Sequence, residues 1–119
     1  MPKVLLAEDD LTMVSLLKTL LTMEGFGVEA VDADADIPAA VRLQRPDVLL
    51  LDVHLSRQNG LEIMDLLRRD PATRRLGVVM TSGLNMRDEC LKRGASAFLL
   101  KPFMPDDLVR TLKKVMKIS

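Results

Sequence analysis

Three times in this chain a short apolar run stops abruptly at charge. Val48-Leu49-Leu50-Leu51 ends in Asp52, Val4-Leu5-Leu6-Ala7 runs into Glu8-Asp9-Asp10, and Ala97-Phe98-Leu99-Leu100 runs into Lys101-Pro102. Runs this short and this apolar read as strands buried on both faces, the kind found in a parallel sheet. A strand inside a core cannot hold an ionised aspartate without a partner. Asp52 therefore belongs at the strand's carboxyl end, facing a crevice. Two acidic strand ends and one basic one set the problem, and the rest of the chain reads as the scaffold that brings them together.

The intervening segments carry helical spacing. A first strand is expected over 3–7 and a helix over 11–24, capped by Asp10 or Thr12, with Met13, Leu16, Leu17, Leu20 and Leu21 on its apolar stripe. Gly25 stands where a helix end wants a positive φ. A second strand follows from Gly27 to Val31, then an acidic turn from Asp32 to Asp36. A weakly amphipathic helix over 36–44 carries Ile37, Ala40, Val41 and Leu43, tolerates Pro38 in its first turn and is stopped by Pro46. Then come the central strand 47–52, a loop from His54 to Asn59, a helix over 60–69, a strand from Gly77 to Thr81, a short helix over 85–93 ending at Gly94, a strand over 96–100 and a last helix over 105–117. Acidic residues open that last helix and lysines close it, which suits the helix dipole. Five strand–helix alternations predict an α/β fold with a parallel sheet covered on both faces, and ligands in such sheets bind beyond the strands' carboxyl ends.

At 119 residues the chain is expected to form one domain over 1–119, with a core of ordinary size. Its net charge of zero gives no sign of direct nucleic-acid binding. Phe26, Phe98 and Phe103 are the only aromatics, so stacking platforms for single strands are not expected. A single cysteine, Cys90, excludes an internal disulfide and a cysteine-based metal site, and fits a reducing cytoplasm. No signal peptide is expected, and no apolar run approaches the roughly 18 residues of a membrane span. Cys90 and the methionines read as core fillers, and Arg68-Arg69 and Arg74-Arg75 as solvated surface charge.

The motifs Leu5-Leu6-Ala7-Glu8-Asp9-Asp10, Leu50-Leu51-Asp52, Gly60, Met80-Thr81-Ser82-Gly83, Gly94-Ala95 and Lys101-Pro102-Phe103, in this order, make the chain resemble a receiver domain of two-component response regulators. The likeness runs from Lys3 to about Lys117. It implies a flavodoxin-like (βα)5 three-layer sandwich with a five-stranded sheet of order 2-1-3-4-5, and a cis Lys101–Pro102 bond. It implies a phospho-accepting signalling switch, not a conventional enzyme, that takes its phosphoryl group from a histidine kinase or phosphotransfer protein. The output then goes to a downstream protein or an attached output domain, without direct contact to nucleic acid or membrane.

The chemistry of the residues agrees with this. Bringing Glu8, Asp9 and Asp52 together concentrates negative charge that a hard divalent cation relieves, and Mg2+ favours oxygen ligands. Three carboxylates balance Mg2+ plus Lys101. By the resemblance, Asp52 is the nucleophile that becomes an acyl phosphate. Asp9 is a direct metal ligand, Glu8 acts partly through water, and the main-chain carbonyl of His54 completes the metal set. Ser82 and Lys101 hold the phosphoryl oxygens, which would make catalysis a matter of positioning and electrostatics. The His54 side chain itself is not expected to act as a ligand or phospho-acceptor.

The chain also departs from the family. Ser56 replaces a common proline after the acceptor, which implies a looser loop, and Ser82 replaces the commoner threonine. From Ser82 to Lys101 the chain is about three residues short, nearly a helical turn of ~3.6 residues, so the fourth helix or its leading loop should be truncated. Phe98 takes the switch-aromatic place without a hydroxyl. Phosphorylation is expected to draw Ser82 inward, make room for Phe98 to turn in, and change the face of helix 4, strand 5 and helix 5. Two rivals stand beside this reading. One is a receiver-like protein-binding module that works without phosphorylation. The other is a phosphatase of the haloacid dehalogenase kind, which needs a second aspartate two residues after the nucleophile, where this chain has His54.

Overall fold

The computed structural model describes residues 1–32 and 34–119; Ala33, inside the acidic turn expected over 32–36, lies outside them. Strands and helices alternate as β1 Lys3–Ala7, α1 Leu11–Met23, β2 Gly27–Ala30, α2 Ile37–Gln44, β3 Val48–Asp52, α3 Gly60–Arg69, β4 Gly77–Ser82, α4 Arg87–Lys92, β5 Ala97–Leu100 and α5 Pro105–Met116. The five strands form one sheet in the order β2-β1-β3-β4-β5, and every neighbouring pair is parallel. This is the flavodoxin-like α/β architecture.

The strands explain their own apolarity. Leu5, Ala7, Leu49, Leu51, Val78 and Met80 pack under α2, α3 and α4, against side chains such as Ile37, Met64 and Cys90. Their alternates Val4, Leu6, Val48, Leu50 and Val79 pack under α1 and α5, against Leu17, Leu21, Leu108 and Leu112. Successive side chains of a strand point to opposite faces, so a sheet covered on both sides needs apolar residues at every position. All five residues of β3 are buried.

Helix ends fall where local chemistry puts them. Asp10 caps α1, its Oδ1 accepting from the amides of Thr12 at 3.0 Å and Met13 at 3.2 Å. Gly25 takes φ 91°, open to glycine at little cost. Asp36 lies just outside α2 as its cap, accepting from the Ala39 amide at 3.0 Å. Asn59 caps α3 by accepting from the Leu61 amide at 2.8 Å, a role the sequence reading did not assign.

The packing corrects several expectations. Leu16 is 63% exposed and Leu43 is 83% exposed, so neither belongs to a buried stripe. The two helices that carry them lie on the outside of the sheet, and each needs only a narrow apolar seam. Among the methionines only Met64 and Met80 are fully buried, whereas Met1, Met23 and Met104 stand out in solvent. Helix α4 is shorter than the expected 85–93, running only from Arg87 to Lys92, with no side-chain cap at its start. Arg68 is not free surface charge. It donates to the carbonyls of Gly94 at 3.0 Å, Arg74 at 3.0 Å and Thr73 at 3.4 Å, tying the end of α4 to the turn after α3, and burial lowers its pKa.

Candidate functional site

The carboxyl ends of β1, β3, β4 and β5 converge on one crevice. Parallel register fixes this: Ala7 pairs with Leu51, Asp52 with Thr81, and Ser82 with Leu100. The residue following each strand end is therefore brought to the same edge, although Glu8 and Lys101 are far apart in the chain. Carboxylate oxygens of Glu8, Asp9 and Asp52 all lie within 4.8 Å of one another. Glu8 and Asp52 are buried, at 7% and 6% exposure, and Asp9 is partly exposed.

Among the described residues one cation, Lys101, reaches this acid cluster. Lys101 Nζ donates to Glu8 Oε1 at 2.5 Å and to Asp52 Oδ2 at 3.2 Å. Burial pushes the ammonium pKa down. Its hydrogen bond to Glu8 and the charges of Asp52 and Glu8 outweigh that, and the net shift is upward. Lys101 thus stays charged where a buried lysine alone would tend to lose its proton. The second Glu8 oxygen accepts from the amides of Asp9 at 2.9 Å and Asp10 at 3.3 Å. Asp52 Oδ1 is approached by the His54 amide at 3.4 Å, leaving lone pairs toward the crevice.

The donor set suits a hard cation. Two buried carboxylates share one ammonium and a third carboxylate stands beside them, which leaves the cluster negative. Oxygens within 4.8 Å of one another approach the spread that a six-coordinate Mg2+ with ligands at about 2.1 Å spans. Among the described residues no histidine or cysteine joins the cluster, so a softer metal is not favoured.

Ser82 is fully buried at the end of β4. Its Oγ accepts from the Leu84 amide at 3.0 Å, so its hydroxyl proton remains available to donate. Its main-chain carbonyl accepts from the Lys101 amide at 2.8 Å, which sets the hydroxyl-bearing and ammonium-bearing residues side by side. The Lys101–Pro102 peptide bond is cis.

Gly60 does more than open a helix. A Cβ built there would meet the Asp52 carbonyl oxygen at 2.4 Å and Val53 Cα at 2.8 Å, both main-chain atoms. The Gly60 amide donates to the Val53 carbonyl at 2.7 Å, and His54 and Asn59 form an antiparallel bridge across the loop. The start of α3 is thereby seated on the backbone of Asp52 itself. His54 is exposed, and its imidazole is not part of the acid cluster.

Phe98 departs from the expected geometry. Its ring is already inside, 2% exposed, in the cluster with Met80, Met64 and Cys90. No inward turn remains for it to make. Arg87 covers it from outside, with the guanidinium carbon 5.7 Å from the ring centroid, within cation–π range. Nothing in the sequence flagged this pair, because the contact depends on where the short α4 lies.

The chain is a doubly wound parallel sheet with an acidic crevice and a lysine before a cis-proline at its carboxyl edge, and its relatives define the class. The sequence profile of the response regulator receiver domain matches residues 4–113. The transcriptional regulatory protein CpxR of Klebsiella pneumoniae is 35% identical over the whole chain, which spans 51% of that protein. The DNA-binding response regulator MtrA of Mycobacterium leprae is 31% identical over 93% of the chain, across 49% of its own length. The chain thus spans about half the length of these curated relatives. Among solved structures, the receiver domain of the Pseudomonas aeruginosa sensor histidine kinase PA1611, which has a magnesium ion coordinated in its active-site cleft, matches with a TM-score of 0.86 at 26% identity, covering 98% of each chain. The chemotaxis response regulator CheY4 of Vibrio cholerae matches with a TM-score of 0.87 at 26% identity, over 97% of this chain and 98% of its own. The chain belongs to the response regulator receiver domain family.

Proposed function

We propose that residues 1–119 form one receiver unit that acts as a phospho-accepting switch in a two-component phosphorelay, with Asp52 as acceptor. The observation that carries this reading is the meeting of Lys101 with both Glu8 and Asp52 in a crevice that also holds Asp9. On this reading the crevice gathers nucleophile, counter-charge and cation ligands in one place.

The chemistry is a transfer from phosphohistidine. An Asp52 carboxylate oxygen forms a bond to phosphorus while the phosphorus–nitrogen bond breaks, and that bond's electron pair returns to the imidazole of the donor. Lys101, 3.2 Å from Asp52 Oδ2, is placed to hold an oxygen of the incoming group, and Ser82 has a proton to donate to another. Glu8, Asp9, Asp52 and the carbonyl of His54 would hold Mg2+, which supplies positive charge to the phosphoryl oxygens when bound. Three carboxylates and one lysine give these oxygens a poor electrostatic reception without such an ion.

The product is a modified surface, since the transferred phosphoryl group stays on the chain. Ser82 is bonded to the loop that leads into α4, so drawing its hydroxyl to a phosphoryl oxygen would weaken its bond to the Leu84 amide and shift that loop. Arg87, one turn on, would then change how it covers Phe98. A groove of about 980 Å3 beside α4, β5 and α5, edged by Leu91, Leu100 and Met104, is the surface we expect to respond. The upstream partner is a histidine kinase or phosphotransfer protein. The output is a downstream protein or an attached domain, as the naming of relatives as DNA-binding regulators suggests. No helix among the described residues is long and apolar enough to cross a membrane, and we place the chain's work in the cytoplasm.

The test is intact mass after incubation with acetyl phosphate, with and without Mg2+, for the wild type and Asp52→Asn. A Mg2+-dependent gain of one phosphate that disappears in the variant supports the reading. No gain, together with failure to bind a beryllofluoride mimic, would instead assign a protein-binding module that works without phosphorylation.

A further inference from the structure

The zero net charge conceals a segregation. Carboxylates crowd the edge of the sheet that holds Asp52, while guanidinium and ammonium groups crowd the opposite, amino edge, where α2, α3 and α5 end. Net charge alone is therefore a poor guide to partners here; distribution decides.

At that amino edge a groove of about 620 Å3 opens between the α2–β3 and α3–β4 connections. Pro46, Pro71 and Leu76 give it apolar walls, and Arg42, Arg45 and Arg75 stand around it. Arg42 has a partner, Asp70, at 3.2 Å. The guanidinium groups of Arg45 and Arg75 are exposed and make no hydrogen bond or ion pair among the described residues. Arg45 is also held in the left-handed region, φ 49° and ψ 58°, immediately before Pro46. Glycine or asparagine would adopt that conformation more easily, and a residue before proline is further restricted. A cation at a helix end does complement the dipole. That explanation does not reach Arg75, which lies in the turn after α3 and outside any helix.

We propose that this groove docks an acidic peptide segment that carries an apolar side chain. Its carboxylates would pair with Arg45 and Arg75, which lack partners among the described residues, and its apolar side chain would rest on the proline and leucine walls. Charge complementarity sets the sign of the occupant. The apolar walls between the cations favour a peptide over a phosphate backbone, which offers nothing to cover them. An occupant there sits at the edge opposite Asp52 and leaves the phospho-acceptor open, so the groove would hold a partner whatever the phosphorylation state.

The experiment is fluorescence anisotropy of the full chain with a labelled peptide of alternating glutamate and leucine, with a lysine–leucine peptide and a 20-base-pair DNA duplex run in parallel. Saturable binding of the glutamate peptide is expected, weakening as salt rises, and falling at least about tenfold in Arg45→Gly and in Arg75→Glu, the loss of one charge-assisted contact. Arg45→Gly relieves the left-handed strain, so its melting midpoint should be no lower than that of the wild type, and Asp52 phosphorylation should be unchanged in both variants. Absence of peptide binding, or binding equal in wild type and variants, overturns the proposal. So does preferential binding of the duplex, which would assign the face to a phosphate polymer. Concentration-dependent self-association abolished by the same substitutions would assign it to a second copy and also overturn it.

Discussion

Replacing Gly60 by alanine should separate the seat of the acceptor strand from its chemistry. The new methyl group would lie 2.4 Å from the Asp52 carbonyl oxygen and 2.8 Å from Val53 Cα. Both are main-chain atoms locked into the sheet, since the Val53 amide donates to Thr81 and Asp52 pairs with Thr81 in register. Neither can step aside like the tip of a flexible side chain, so α3 must shift or β3 must bend. Overpacking of this kind costs about 1–3 kcal/mol. Alanine's better helix propensity returns at most about 1 kcal/mol, and less in a first turn. The expected net loss is about 1–2 kcal/mol. With a urea slope of about 1–3 kcal/mol/M, the midpoint should fall by on the order of 0.5–1 M. The displaced atoms belong to the acceptor's own backbone, so phosphorylation by acetyl phosphate should slow by about tenfold or more, as misplacement of reacting groups by fractions of an ångström does. The control is Gly83→Ala, where a Cβ meets nothing within 4 Å, and a change of under about 0.5 kcal/mol is expected. Equal stability of the two variants, with wild-type phosphorylation in Gly60→Ala, would refute the reasoning.

Further outcomes follow from other contacts. Lys101→Met removes a cation that reaches both Glu8 and Asp52; the melting midpoint without metal should drop and be partly restored by Mg2+, while phosphate incorporation measured by mass slows about tenfold or more. Asp10→Ala deletes the cap of α1 and should cost about 1 kcal/mol by urea denaturation, with little effect on the site. Burial pushes the Cys90 thiol pKa up, with Glu89 adding to the shift and Arg93 opposing it. A folded pKa above the unfolded value near 9.0 means that this stabilisation is complete below about pH 9 and is lost as pH rises through the folded pKa. Disulfide-reagent labelling of native protein at pH 8 should therefore be slow and should accelerate only with unfolding.

Much of the fold is legible because the two covered faces force it. Val48 to Asp52 reads as a strand buried on both sides because the run is short, branched and apolar up to the aspartate, and parallel strands require the helices that the spacing supplied. The acid cluster was legible for the same reason, since parallel register carries every strand end to one edge. What stayed hidden depended on distances that no pattern encodes. Leu16 and Leu43 have the right spacing for a core and face solvent because their helices need only a narrow seam. Phe98 was placed as a ring awaiting entry, but the chain already buries it beneath Arg87. Gly60 carries a motif position, yet only the backbone of Asp52 2.4 Å from its missing side chain explains why nothing larger fits. Arg68 looked like half of a charged pair, and it is a clamp on three carbonyls from two turns.

The most direct measurement is chemical mapping of the acceptor. The chain is phosphorylated with acetyl phosphate and Mg2+, reduced at once with borohydride, and digested for peptide mass analysis. An acyl phosphate on aspartate is converted to homoserine by this treatment. Homoserine at position 52 alone, absent when Mg2+ is withheld, is the predicted result. Homoserine at Asp9 with Asp52 intact, or phosphate retained on a serine, threonine or histidine, would contradict the assignment of Asp52 as the phospho-acceptor.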